Sequence, residues 1–198
     1  MKVYPGPFLM QKTAFLTAIE TEHLPTIRLF LRHGAVVSEP CKFGVRRTPL
    51  QRAAEMGNIE IVKLLVENGG HANEPAPPRG GGTSLQLAAW GGFTNIVRLL
   101  LQKGADVDAP PSDRDGTRHA LLAAAIQGRA DIVSILVQAG AGSGGKDRDL
   151  FRRAIKAADK KGHFPISKML THFMETGKVA GANPDWMLEE FIQFEPDG

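Results

Sequence analysis

The chain has 198 residues, 42% of them hydrophobic, and a formal net charge of +3 at pH 7. That length suffices for one domain with a substantial core. The single cysteine, Cys41, excludes an internal disulfide; no Asn-x-Ser/Thr sequon occurs, the N-terminus Met1-Lys-Val-Tyr-Pro-Gly-Pro lacks a continuous apolar h-region of secretory length, and no apolar run approaches the length of a membrane span. An intracellular protein, cytoplasmic or nuclear, is the expectation.

In chain order, a short N-terminal segment (1–12) precedes a series of similar units over 13–177. The first is faint: Thr13 to Ala18, Ile27 to His33, then Gly34. The second reads Thr48-Pro-Leu-Gln-Arg-Ala-Ala-Glu-Met-Gly57, then Ile61-Val-Lys-Leu-Leu65 and Gly69. The third reads Thr83-Ser-Leu-Gln-Leu-Ala-Ala-Trp-Gly-Gly92, then Ile96-Val-Arg-Leu-Leu100 and Gly104. The fourth runs Ala124-Ala-Ile-Gln-Gly128, Ile132-Val-Ser-Ile-Leu136 and Gly140, and a faint fifth holds Phe151 to Ala158, Gly162-His163 and Ile166 to Leu170. Gly34, Gly69, Gly104 and Gly140 are thus spaced by 35, 35 and 36 residues. A fixed period of this size marks a stack of repeats, each burying its apolar face against its neighbours.

Each block of the unit has a physical reading. The hydroxyl of Thr48 or Thr83 caps a helix, and Pro49 is tolerated at the first helical position. The Ala-Ala pairs let helix axes approach closely. Gly57, Gly92 and Gly128 end the first helix and permit a tight turn into the second. The Ile-Val-x-Leu-Leu spacing makes a broad core-facing stripe. On that pattern Ile96, Val97, Leu99 and Leu100 are all expected to be buried by the flanking units.

These blocks closely resemble the ankyrin repeat over residues 13–177, and the Gly-Thr-x-Leu-Gln-x-Ala-Ala form of the third unit is similar to repeats abundant in filamentous fungi. The resemblance implies an all-α ankyrin-repeat solenoid of about five helix–turn–helix repeats with hairpin-like loops, the first and fifth acting as caps. Some residues depart from the family pattern. Gln51, Gln86 and Leu122 stand where His is common; the glutamines retain side-chain hydrogen bonding to neighbouring loops and Leu122 does not. The loops Glu74–Gly82 and Ala109–Gly116 also differ from the usual hairpin, which puts that hairpin in question at both places.

No constellation for catalysis emerges. The six histidines are scattered without metal-ligand spacing, and the Gly-rich runs at 79–82 and 142–145 lack the ending of a phosphate loop. Neither an enzyme activity, a cofactor nor a metal is expected. A basic stretch over 146–178 admits a less favoured nucleic-acid reading, interrupted as it is by Asp147, Asp149 and Asp159. The tail over 178–198 is acidic and aromatic, with Trp186, Leu188, Phe191, Ile192 and Phe194 in an amphipathic order. It reads as a C-terminal helix capping the fifth repeat, or as a linear motif offered to another protein.

The resemblance implies partner recognition on a concave face built from first helices and the segments preceding them. Carried onto this chain, that face comprises Glu55, Met56, Trp90, Ile126 and Gln127, with Arg46, Arg47, Arg79, Arg114 and Arg118 around it. Met56, Trp90 and Ile126 are read as equivalent positions forming an apolar strip. Trp and Arg are enriched at interface hot spots. The implied function is a monomeric protein–protein interaction module, an adaptor or scaffold, binding an acidic segment with apolar anchors. The alternative is a regulatory subunit or inhibitor of an enzyme or transcription factor; no membrane partner is expected.

Overall fold

Each unit folds as two short helices, joined at a glycine in the second to fifth and at Glu22 in the first, and the computed structural model describes residues 14–38, 47–76, 81–110, 119–142 and 148–177. The five pairs are α1 (Ala14–Glu20) with α2 (Leu24–Arg32), α3 (Pro49–Met56) with α4 (Ile59–Glu67), and α5 (Ser84–Gly91) with α6 (Thr94–Gln102). They continue with α7 (Ala120–Ile126) and α8 (Ala130–Gln138), then the longer α9 (Arg148–Lys160) and α10 (Phe164–Thr176). First helices form one layer, α1 against α3, α5, α7 and α9 in turn; α4, α6, α8 and α10 form the second. No strand occurs among the described residues, which leave out 77–80 and 111–118 where the family's hairpin tips would fall. No described helix is long and apolar enough to cross a membrane.

Local chemistry fixes the start of the first helix in the second and third repeats. Thr48 and Thr83 have extended backbone and accept from the N–H of Gln51 and Gln86, while each glutamine side chain accepts from the threonine N–H, closing a reciprocal capping box. The same glutamines reach one loop further. Gln51 Nε2 donates to the Pro75 carbonyl at 2.9 Å, and Gln86 Nε2 to the Ala109 carbonyl at 2.8 Å. One side chain therefore holds both the helix start and the following loop, as expected of these residues. In the fourth repeat His119 sits at the cap without a side-chain cap bond, and Leu122 is buried as an apolar contact.

The interior is where the Ala-Ala pairs and the Ile-Val-x-Leu-Leu stripe predict it. Ala53, Ala54, Ala88, Ala89, Ala124 and Ala125 are wholly buried between successive first helices. Ile61, Val62, Leu65, Ile96, Val97, Leu100, Ile132, Val133 and Leu136 join them from the second layer. Leu99 departs from the expectation: it packs on the core only partly buried, at the rim of the stripe. Its counterparts Leu64 and Ile135 are buried, so among the three central repeats the rim position is particular to the third.

Neighbouring repeats are also stitched by polar bonds at a constant register. Ser38 Oγ donates to the Gly69 carbonyl at 3.1 Å and accepts from His71 N–H at 3.3 Å. Thirty-five residues on, Asn73 donates to the Gly104 carbonyl and accepts from Asp106 N–H, each at 2.7 Å. After another 35, the Asp108 carboxylate accepts from Gly142 N–H at 3.0 Å. The turn glycines are covered in the same way by the next repeat. A Cβ on Gly57, which has a φ of +83°, would lie 2.3 Å from the Phe93 ring, and Arg129 and His163 cover Gly92 and Gly128.

The fifth repeat ends the stack chemically. Positions filled by Ala54, Ala89 and Ala125 in the interior carry exposed Asp159, and those of Gln51, Gln86 and Leu122 carry exposed Lys156. A face that elsewhere meets a neighbour is here charged and solvated, as a terminal repeat requires. The tail, 178–198, lies outside the described residues.

Candidate partner-binding face

Counting back from the turn glycines fixes which first-helix residues are true neighbours. Two residues before the turn stand Glu20, Glu55, Trp90, Ile126 and Lys160; one before it stand Thr21, Met56, Gly91, Gln127 and Lys161. This corrects the expected strip. Met56 is the counterpart of Gly91 and Gln127, not of Trp90, and the residue beside Trp90 in the second repeat is Glu55.

Trp90 is the most conspicuous member. It sits in the last turn of α5, 46% exposed, while the remainder of α5 is buried apart from the terminal Gly91. Its ring borders a cleft of about 250 Å³ lined by Arg47, Glu55, Gln86, Leu87, Trp90 and Ala123. Leu87 and Ala123, which sequence reasoning missed, occupy one register position in adjacent repeats, five residues before the turn. Gly91 also lines the cleft, and a Cβ on it would meet the Phe93 ring at 2.2 Å. Ile126 is half-buried against the core, beyond the cleft; Met56 and Gln127 are also half-buried.

The N-terminal wall is ionic. Arg47 grips Glu55 with two bonds, Nη2 to Oε1 at 3.0 Å and Nε to Oε2 at 3.3 Å. Arg52 Nη1 donates to Glu55 Oε2 at 2.8 Å, and its Nε lies 3.2 Å from Glu20 of the preceding repeat. Burial pushes the Glu55 carboxyl up, but the hydrogen bonds and charges of Arg47 and Arg52 outweigh it and hold the group below the usual carboxylate range. The side chain of Arg47 is only 15% exposed and its charge is met by Glu55, so it shapes the cleft wall more than it projects a field. Arg52 and Glu20 were not anticipated; they sit a repeat apart and meet only through the stack. Arg46, Arg79, Arg114 and Arg118 lie outside the described residues.

Comparison with known families decides what this architecture is. A family model described as ankyrin repeats (3 copies) matches residues 6–76 and again 70–149. The chain belongs to the ankyrin-repeat family. Its fifth helix pair lies almost wholly beyond the matched residues, in keeping with its longer helices and charged outer face. No curated protein matches in a direct comparison. Ankyrin repeats are generic protein-interaction modules and typically non-catalytic, which agrees with a face built of an exposed indole, an aliphatic floor and satisfied ion pairs.

Proposed function

We propose that this ankyrin-repeat chain is an adaptor or scaffold, working as a monomer inside the cell, that holds a protein partner on its first-helix face with Trp90 as anchor. The observation that carries this reading is the half-exposed indole on an otherwise buried helix, beside a preformed cleft. An ordered tryptophan presents a large apolar area with little rotamer freedom to lose, so binding there costs little ordering entropy. The mechanism is rigid recognition. The capping boxes and inter-repeat bonds hold the surface before the partner arrives, and Leu87, Trp90 and Ala123 exclude water from an inserted side chain.

Affinity capture with the immobilised chain tests this. Trp90→Ala removes an exposed ring and leaves the wholly buried core untouched, so circular dichroism stays that of the wild type while the principal captured protein disappears. Capture of the same proteins by a folded Trp90→Ala variant would move the site off this face.

A further inference from the structure

The register positions that face the cleft change character along the stack. In the first two repeats Glu20 and Glu55 are neutralised by Arg52 and Arg47. The third and fourth contribute Leu87, Trp90, Ala123 and Ile126. In the fifth the position of Trp90 and Ile126 becomes Lys160, and that of Gly91 and Gln127 becomes Lys161, both exposed and in no ion pair with a described residue. Exposed Arg152 lies on the same helix, and residues 152–161 hold five basic side chains against one acid, Asp159, on the outer end of the stack. The face is therefore self-compensated at one end, apolar in the middle and cationic at the other.

We propose that the partner element is an extended peptide segment with an apolar anchor beside Trp90 and a cluster of carboxylates on one side of it only, seated over Lys160 and Lys161. The assignment rests on the first-helix face being the binding face. The cleft of about 250 Å³ admits one large side chain, whereas a helix of roughly 10–12 Å diameter does not enter it. Trp90 and Lys160 stand two repeats apart, roughly 16–20 Å at the usual 8–10 Å between packed helix axes. An extended chain advances about 3.3 Å per residue, so the carboxylates fall about five or six residues from the anchor. Acids on the other side would meet Glu20 and Glu55, whose charges Arg52 and Arg47 already answer, and gain nothing there.

Selection of random 12-residue phage-displayed peptides on the immobilised full chain tests the assignment. The expected winners carry an aromatic or aliphatic anchor with Asp or Glu about five or six residues to one side. On the Lys160→Glu, Lys161→Glu variant the acids should give way to Lys or Arg at the same spacing, with the anchor retained. A synthetic copy of the leading peptide should bind that variant about tenfold more weakly, and Trp90→Ala roughly thirty-fold or more weakly. Winners that depend on Trp90 but show no acidic bias, or acids indifferent to the charge reversal, would refute the polarity and leave the face standing. Winners indifferent to Trp90, or no enrichment at all, would refute both. Three further outcomes replace the occupant. Enrichment appearing only after Asp185, Glu189 and Glu190 are neutralised would make it the chain's own tail. Self-association abolished by Trp90→Ala would make it a second copy, and a 20-base-pair DNA duplex binding through Lys160 and Lys161 without Trp90 would make it nucleic acid.

Discussion

Gln86→Leu isolates the residue that binds one repeat to the loop after it. The glutamine is buried, takes the Thr83 N–H at 3.0 Å and gives its Nε2 to the Ala109 carbonyl at 2.8 Å. Leucine has similar volume and restores neither bond. Two backbone groups then lose their partner, and an unsatisfied buried group costs about 1–3 kcal/mol. Added apolar burial offsets part of this, so a net loss of about 2–4 kcal/mol is expected, a large share of the roughly 5–15 kcal/mol that holds a domain together. The fourth repeat supplies the contrast, because Leu122 already occupies this position there without a threonine cap beside it. Equilibrium urea unfolding should show a lower midpoint for Gln86→Leu with an unchanged slope. A midpoint equal to that of the wild type would mean that the capping box and the loop bond do not contribute to the stack, and the account of why Gln stands here would fail.

Leu100→Ala should cost about 2–5 kcal/mol in the same assay, as truncation of a fully buried leucine does, and Leu99→Ala markedly less because the side chain sits at the rim; equal losses would overturn the burial assignment. Glu22 occupies the turn position held elsewhere by Gly57, Gly92 and Gly128, with a φ of +54°. Glu22→Gly should therefore raise stability by about 0.5–1 kcal/mol, and a lower melting temperature would contradict the strain argument. Glu55→Gln should destabilise the fold at pH 7 by about 1 kcal/mol, as for partly exposed ion pairs. The folded-state pKa is depressed, so this contribution is present above the unfolded carboxylate value and is lost as pH falls through the folded one. The difference between variant and wild type should close below about pH 4; a difference independent of pH would locate the effect in packing instead.

What could be read from the chain was what local chemistry dictates. Thr48-Pro49 and Thr83 announce helix starts, Gly57 and Gly92 announce left-handed turns, and the paired alanines announce close helix approach, each within a few residues. Trp90 was visible as a hot-spot residue type in the pair just before the turn of its repeat. The Glu20–Arg52–Glu55–Arg47 chain was not, because Glu20 and Arg52 meet across a repeat boundary; superposing Glu22 on the turn glycines sets Glu20 at the position of Glu55, the partner Arg52 has in its own repeat. The same superposition removes the mistaken pairing of Met56 with Trp90, which came from treating the two residues before each turn as interchangeable. Leu99 was indistinguishable in pattern from Leu64 and Ile135, and only the packing of the third repeat separates it.

The covering of Gly57 by Phe93, Gly92 by Arg129 and Gly128 by His163 gives the stack a direction in time. A turn is closed over only by a residue that lies about one period downstream. On a ribosome adding roughly 5–20 residues per second, each turn waits about 2–7 seconds for its cover. The order of assembly is thus written into which neighbour shields which turn, and loss of structure from the carboxyl end strips those shields in reverse.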